Sequence, residues 1–141
     1  MVRLIAPADG IVRASLVTDE DVVRLRKLVR DDMVTLRFSL TEQTKMVTAA
    51  SELARNVLRY GGGGHAELEQ LMRAGRSGVR VRFIDQGPGI ADLELALTDG
   101  WTSGGGMGLG LSGARRLSDE FEIESQPGMG TTVTITKWKP F

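Results

Sequence analysis

Hydrophobic and polar positions first alternate in this chain, then switch to helical spacing. Val12, Ala14 and Leu16 are interleaved with Arg13 and Ser15, which predicts a short strand. Thr18 and Asp21 then offer a helix start, and Val22, Val23, Leu25 and Leu28 carry the helical period to about Met33. Leu36 to Phe38 reads as a connector. Ser39-Leu-Thr-Glu42 has the form of a capping box and opens a second helix that runs to about Tyr60. Its apolar stripe is Met46, Ala50, Leu53 and Val57, and Glu52 and Asn56 fall on the rim, roughly 100° away at 100° per residue.

Beyond Gly61–Gly64 the period returns to two. Residues 66–72 and 79–85 predict two strands joined through Ala74-Gly-Arg-Ser-Gly78, with Glu67 and Glu69 able to face Arg80 and Arg82. A short helix is expected at 92–98. Another is expected at 108–119, with Leu109, Leu111, Ala114 and Leu117 inward. A closing hairpin of 121–125 and 131–138 is expected around Gln126-Pro-Gly-Met-Gly130. Helices first and mostly antiparallel strands afterwards predict an α+β two-layer sandwich. No linker divides it, so residues 1–141 are expected to form a single domain.

Composition narrows the function. With 41% hydrophobic and 26% charged residues the chain has a globular composition. Lys plus Arg and Asp plus Glu are 18 each, with no basic block, which argues against nucleic acid as the main partner. There is no cysteine, which excludes disulfides and thiolate chemistry, and the only histidine, His65, is expected near the edge of a strand. MVRLIAPADG contains no apolar run suited to a signal peptide, and no segment could span a bilayer. The expected location is cytoplasmic, away from the membrane.

Of the 18 glycines, 14 gather at 61–64, 87–89, 104–113 and 128–130. In IDQGPGI, Asp85 shares the inward parity of Val79, Val81 and Phe83. A carboxylate there needs a partner, and the exocyclic amine of adenine would serve, with Gly87 and Gly89 leaving room for base and sugar. An ordinary Asp-Gln-Gly-Pro turn is the plain alternative. Gly108-Leu-Gly110-Leu-Ser-Gly113 matches G-x-G-x-x-G only formally, because no strand precedes it. A glycine loop running into a helix N-terminus still offers N–H groups to phosphates. On the second helix Glu52 and Asn56 share a face at i, i+4 spacing. Asn56 suits Mg²⁺, which takes few protein ligands, and Glu52 could accept a hydroxyl proton; a solvated polar face is the alternative. Arg55 and Arg59 could approach phosphates or simply keep the helix face solvated, Trp101 could meet a partner or simply pack, and Thr132, Thr134 and Thr136 read as an exposed strand face.

Taken in order, these stretches resemble the Bergerat-fold ATPases of the GHKL superfamily. Glu52-x-x-x-Asn56 resembles the N box and Asp85-x-Gly87-x-Gly89 the first glycine box. Gly106-x-Gly108-x-Gly110 resembles the second glycine box, and Gly130-Thr131-Thr132 the final Gly-Thr element. Within the superfamily SELARN, DQGPGI, DGWTSGG and RRLSDEF are similar to the RsbT-type serine/threonine switch kinases. The resemblance implies ATP and Mg²⁺ as cofactors, Glu52 as catalytic base, Asn56 as metal ligand and Asp85 as adenine reader. It also implies that Gly104, Gly105, Gly106, Met107, Gly108, Leu109 and Gly110 lie along the phosphates, with Thr131 near the base. A STAS-domain substrate and a PP2C-type phosphatase are the implied partners, and homodimerisation stays open. Thr102-Ser-Gly-Gly-Gly106 stands where some relatives carry an arginine that reaches the γ-phosphate.

Overall fold

The computed structural model describes residues 10–98 and 110–140. Among the described residues five strands and four helices follow in the order β1 (Ile11–Leu16), α1 (Asp19–Thr35), α2 (Leu40–Arg59), β2 (Gly64–Arg73), β3 (Arg76–Asp85), α3 (Leu93–Ala96), α4 (Gly110–Leu117), β4 (Glu120–Ser125) and β5 (Thr131–Trp138). The sheet order is β1-β2-β3-β5-β4, and every neighbouring pair is antiparallel. Helix α1 packs on α2 and α2 on α4, and this layer covers one face of the sheet. Between the layers lie Leu25, Val29, Met33, Met46, Ala50, Leu53 and Val57 from the helices, against Leu68, Val79, Val81, Phe83, Val133 and Ile135 from the strands. The α+β sandwich is as the periodicity predicts.

Local chemistry explains the element ends. Thr18 caps α1, and its hydroxyl accepts from the Asp21 N–H while the Asp21 carboxylate turns back to the cap. Asp21 Oδ2 accepts from the backbone N–H groups of Val17 (2.8 Å) and Thr18 (3.0 Å), and Arg24 pairs with Oδ1. The Val17 bond, then Arg24, then Thr18 lower the carboxyl from its ordinary 3.8 to about 2. A pKa depressed in the folded state contributes stability above the unfolded value and loses it as pH falls. Asp21→Asn is therefore expected to lower stability at neutral pH by roughly 1–2 kcal/mol. It should also flatten the loss of stability between about pH 4 and pH 2. Urea unfolding across that range, with the wild type alongside, checks both.

Several expectations change. Val23, counted in the apolar period of α1, is 65% exposed on its outer side, while Val22, Leu25, Val29 and Met33 face the core. Ser39 caps α2 through the Glu42 N–H, yet Glu42 does not complete a capping box. Its carboxylate reaches Lys137 Nζ at 2.9 Å. Lys137, almost wholly buried, also donates to Asp119 Oδ1 and to the Leu117 carbonyl, both at 3.3 Å, so all three of its N–H bonds have acceptors. This knot joins the start of α2 to the end of α4 and to β5.

The β2–β3 connection is tighter than the expected five-residue loop. Strands run to Arg73 and Arg76 around Ala74 and Gly75, which have φ of 51° and 80°. Both are positive, as a two-residue hairpin of type I′ requires. Glu67 pairs with Arg82 and Glu69 with Arg80 in the register, as the alternation predicts. His65, the second residue of β2, lies on a strand inside the sheet. The threonine row is not an exposed face. Thr134 and Thr136 are buried, because β5 sits between β3 and β4 with Arg80 and Arg82 on one side and Glu120 and Glu122 on the other. Arg80 Nε donates to Thr136 Oγ1 at 3.2 Å.

Candidate functional site

A cavity of about 610 Å³ opens between the C-terminal half of α2 and the ends of β3 and β5. Its α2 wall presents Glu52, Leu53, Asn56, Val57 and Arg59, followed by Tyr60 of the C-cap. Phe83 and Asp85 enter from β3, Thr131 and Val133 from β5, and Gly110 and Leu111 from the start of α4. Pro88, Gly89, Ile90 and Leu95 close another side. Apolar walls with a few convergent polar groups make the usual setting for a small-molecule ligand.

The helical spacing acts as expected: Glu52 and Asn56 both face this cavity. Arg55, one turn from Glu52 on the same helix, holds Glu52 Oε1 at 3.3 Å. The Glu52 side chain is 17% exposed, so its carboxylate is sheltered yet open to a docked group. Arg59 lines the cavity as well, whereas Arg55 is not among the described residues that line it.

Asp85 also faces the cavity, at the last position of β3. Its Oδ1 accepts from the Gly87 N–H at 2.9 Å, which fixes the carboxylate in a tight turn and leaves Oδ2 for another partner. The neighbouring glycines are also required by the protein's own packing. A Cβ on Gly87 would lie 2.7 Å from Gly61 Cα, and one on Gly89 would lie 2.0 Å from the Gln126 carbonyl oxygen. They let stretches of the protein's own backbone close on each other, and Gly87 is not among the described residues that line the cavity. Gly89 does line it, and its φ of 76° further favours glycine.

One brace escaped the sequence reading. Ser125 Oγ accepts from the Ile90 N–H at 2.7 Å and contacts the Gly130 carbonyl at 3.1 Å and Thr131 Oγ1 at 2.8 Å. One hydroxyl proton and two lone pairs satisfy all three if Ser125 donates to Gly130 and Thr131 donates to Ser125. The end of β4 thereby ties the turn after Asp85 to the start of β5. A lone serine closing a strand carries no sequence signal for this. Trp101, Gly104, Gly105, Gly106, Met107, Gly108 and Leu109 lie outside the described residues.

The donor set bears on the metal. Among the described residues no cluster of three or more His, Cys, Asp or Glu could hold an ion. A carboxamide such as Asn56 with a single nearby carboxylate fits a cation whose remaining ligands come from phosphates and water, the habit of Mg²⁺.

Fold and cavity together define a two-layer sandwich with a small-molecule cleft at one end of its sheet. Residues 41–140 match the family described as histidine kinase-, DNA gyrase B-, and HSP90-like ATPase, and the chain belongs to that family. Within it, the chain belongs with the RsbT-type serine/threonine kinases: it is 41% identical to serine/threonine-protein kinase RsbT of Bacillus subtilis over 123 residues, 87% of this chain and 92% of that protein. It is 31% identical to an anti-sigma F factor of a Thermoanaerobacter species, over 71% of this chain and 73% of that protein. The structure of the RsbU and RsbW domains of a Mycobacterium tuberculosis protein superposes with a TM-score of 0.61 at 19% identity, covering 92% of this chain and 33% of that one. That likeness carries the fold alone. No helix among the described residues is long and apolar enough to cross a membrane.

Proposed function

We propose that residues 1–141 act as one kinase domain that moves the γ-phosphoryl group of ATP to a serine or threonine hydroxyl of a STAS-domain protein, and alternatively bind a PP2C-type phosphatase. The observation that carries the reading is the convergence of Glu52, Asn56, Asp85 and Thr131 on one cavity. Membership in the GHKL ATPases, with an RsbT kinase and anti-sigma factors as relatives, supports a partner-switching kinase.

In this reading Asp85 Oδ2 accepts from the adenine amine, and the apolar walls from Leu53, Val57, Phe83 and Val133 hold the base. Asn56 would hold Mg²⁺, which when bound neutralises phosphate charge and orients the phosphates. Gly104 to Gly110, the glycine-rich stretch that precedes Leu111 in the sequence, would supply N–H groups to the phosphates, and Arg59 is a second source of positive charge on the cavity wall. Glu52 takes the proton of the acceptor hydroxyl as its oxygen bonds to the γ-phosphorus; the bond to the bridging oxygen breaks and ADP leaves. Arg55 keeps the carboxylate aimed.

The test is transfer of label from γ-labelled ATP to purified STAS-domain proteins encoded near this chain's gene, followed by size-exclusion chromatography with the phosphatase added. Label on a STAS hydroxyl, and a STAS complex that dissociates after phosphorylation to free the chain for the phosphatase, is the expected result. The new phosphate brings about −1.5 to −2 charges to a docked neutral group. A stable ternary complex, or no transfer to any STAS protein, overturns the assignment of partners.

A further inference from the structure

We infer that Gly61 is a specificity-determining position for the purine 6-amino group, because its missing side chain keeps Asp85 Oδ2 uncovered. The inference rests on the adenine-reading role proposed for Asp85. Gly61 follows Tyr60, the C-cap of α2, and lines the cavity. A Cβ placed on it would lie 2.5 Å from Asp85 Cγ, 2.6 Å from Asp85 Cβ and 2.7 Å from Asp85 Oδ2, and these are its three nearest neighbours. Real Cβ atoms do not approach so closely, so even alanine must push the carboxylate aside. Asp85 has little room to yield, since Oδ1 is tied to the Gly87 N–H and Gly87 itself rests on Gly61. The oxygen that a methyl group would cover is the one the turn leaves free.

The other glycines of the run do different things. A Cβ on Gly62 meets no atom within 4 Å, although its φ of 73° disfavours a side chain. A Cβ on Gly64 would strike the Ile84 carbonyl at 2.1 Å, which makes Gly64 a requirement of the β2–β3 pairing. Gly61 alone among them bears on the cavity carboxylate. It acts through Asp85 and is a positioning residue.

The experiment compares ATP with purine riboside 5′-triphosphate, which lacks the 6-amino group, by calorimetry with Mg²⁺. Wild type is expected to favour ATP by about 10- to 100-fold, the worth of one hydrogen bond to a charged group. Gly61→Ala should bind the two within about threefold of each other, while Gly62→Ala, strained but clear of Asp85, keeps the wild-type ratio. In an Asp85→Gly background, Gly61→Ala should change ATP affinity less than about threefold, because the group it disturbs is gone. Should Gly61→Ala alone not fold, the double variant, freed of the clash, folds if Asp85→Gly does. A Gly61→Ala protein that keeps the ATP preference, or that weakens both ligands equally, overturns the inference and leaves the role of Asp85 standing. So does a double variant that fails where Asp85→Gly folds. A wild type that does not distinguish the two triphosphates removes the adenine-reading role itself.

Discussion

Asp85→Asn is expected to bind ATP about 10- to 100-fold more weakly than wild type, at unchanged thermal stability. The geometry makes this a clean substitution. Asp85 Oδ1 accepts from the Gly87 N–H at 2.9 Å, and an asparagine oxygen can accept the same bond, so the turn survives. The asparagine NH₂ then stands where Oδ2 stood and opposes the adenine amine with a second donor. Losing a hydrogen bond to a charged group costs about 1.5–3 kcal/mol, which is the stated range in affinity. Calorimetry gives the affinity and thermal unfolding the stability. ATP affinity equal to wild type would remove Asp85 from the base pocket.

The largest expected effect falls on chemistry. Glu52→Gln should retain ATP affinity within a few-fold and lower phosphoryl transfer by roughly 10²-fold or more, the loss expected when a general base is removed. Glutamine keeps the shape and can still accept from Arg55 through its oxygen, so the end of α2 stays as it is. Single-turnover transfer to a STAS-domain protein, beside a binding titration, separates the two quantities. Wild-type transfer rates in this variant would mean that the site works by positioning and charge neutralisation alone. Equal loss of binding would recast Glu52 as part of the nucleotide grip.

What the chain states locally was legible. The two-residue and helical periods gave the helices and strands, and the i, i+4 pair on α2 did face a cavity. The parity of Asp85 with Phe83 was right as well. What failed depends on contacts distant in the chain. Glu42 looks like half of a capping box until Lys137, a strand away, takes its carboxylate. Thr134 and Thr136 look exposed until β5 is known to lie between β3 and β4. Glycine spacing marks where atoms come close, but not whose atoms. At Gly87 and Gly89 the visitor is the protein's own backbone, and at Gly61 it is Asp85. Ala74, at a φ that glycine or asparagine adopts more readily, hides the two-residue turn behind an ordinary residue.

The place of β5 has a consequence for synthesis. Among the described residues it follows the other four strands in the chain yet occupies an interior position in the sheet, and β4 has no other strand partner there. Asp85 and Thr131 are register partners across β3 and β5, so the cavity wall they form does not exist until β5 has inserted. On the ribosome β1, β2 and β3 can pair as they emerge, while one edge of β3 waits for a strand made much later. Antiparallel pairing across such a sequence separation is slow, and an open edge in the meantime invites pairing with other chains. A nucleotide that binds only the finished cavity favours the inserted state by mass action, about 2.7 kcal/mol at a hundred times its dissociation constant. On the function proposed above, ATP would then favour the completed sheet as well as donate a phosphoryl group.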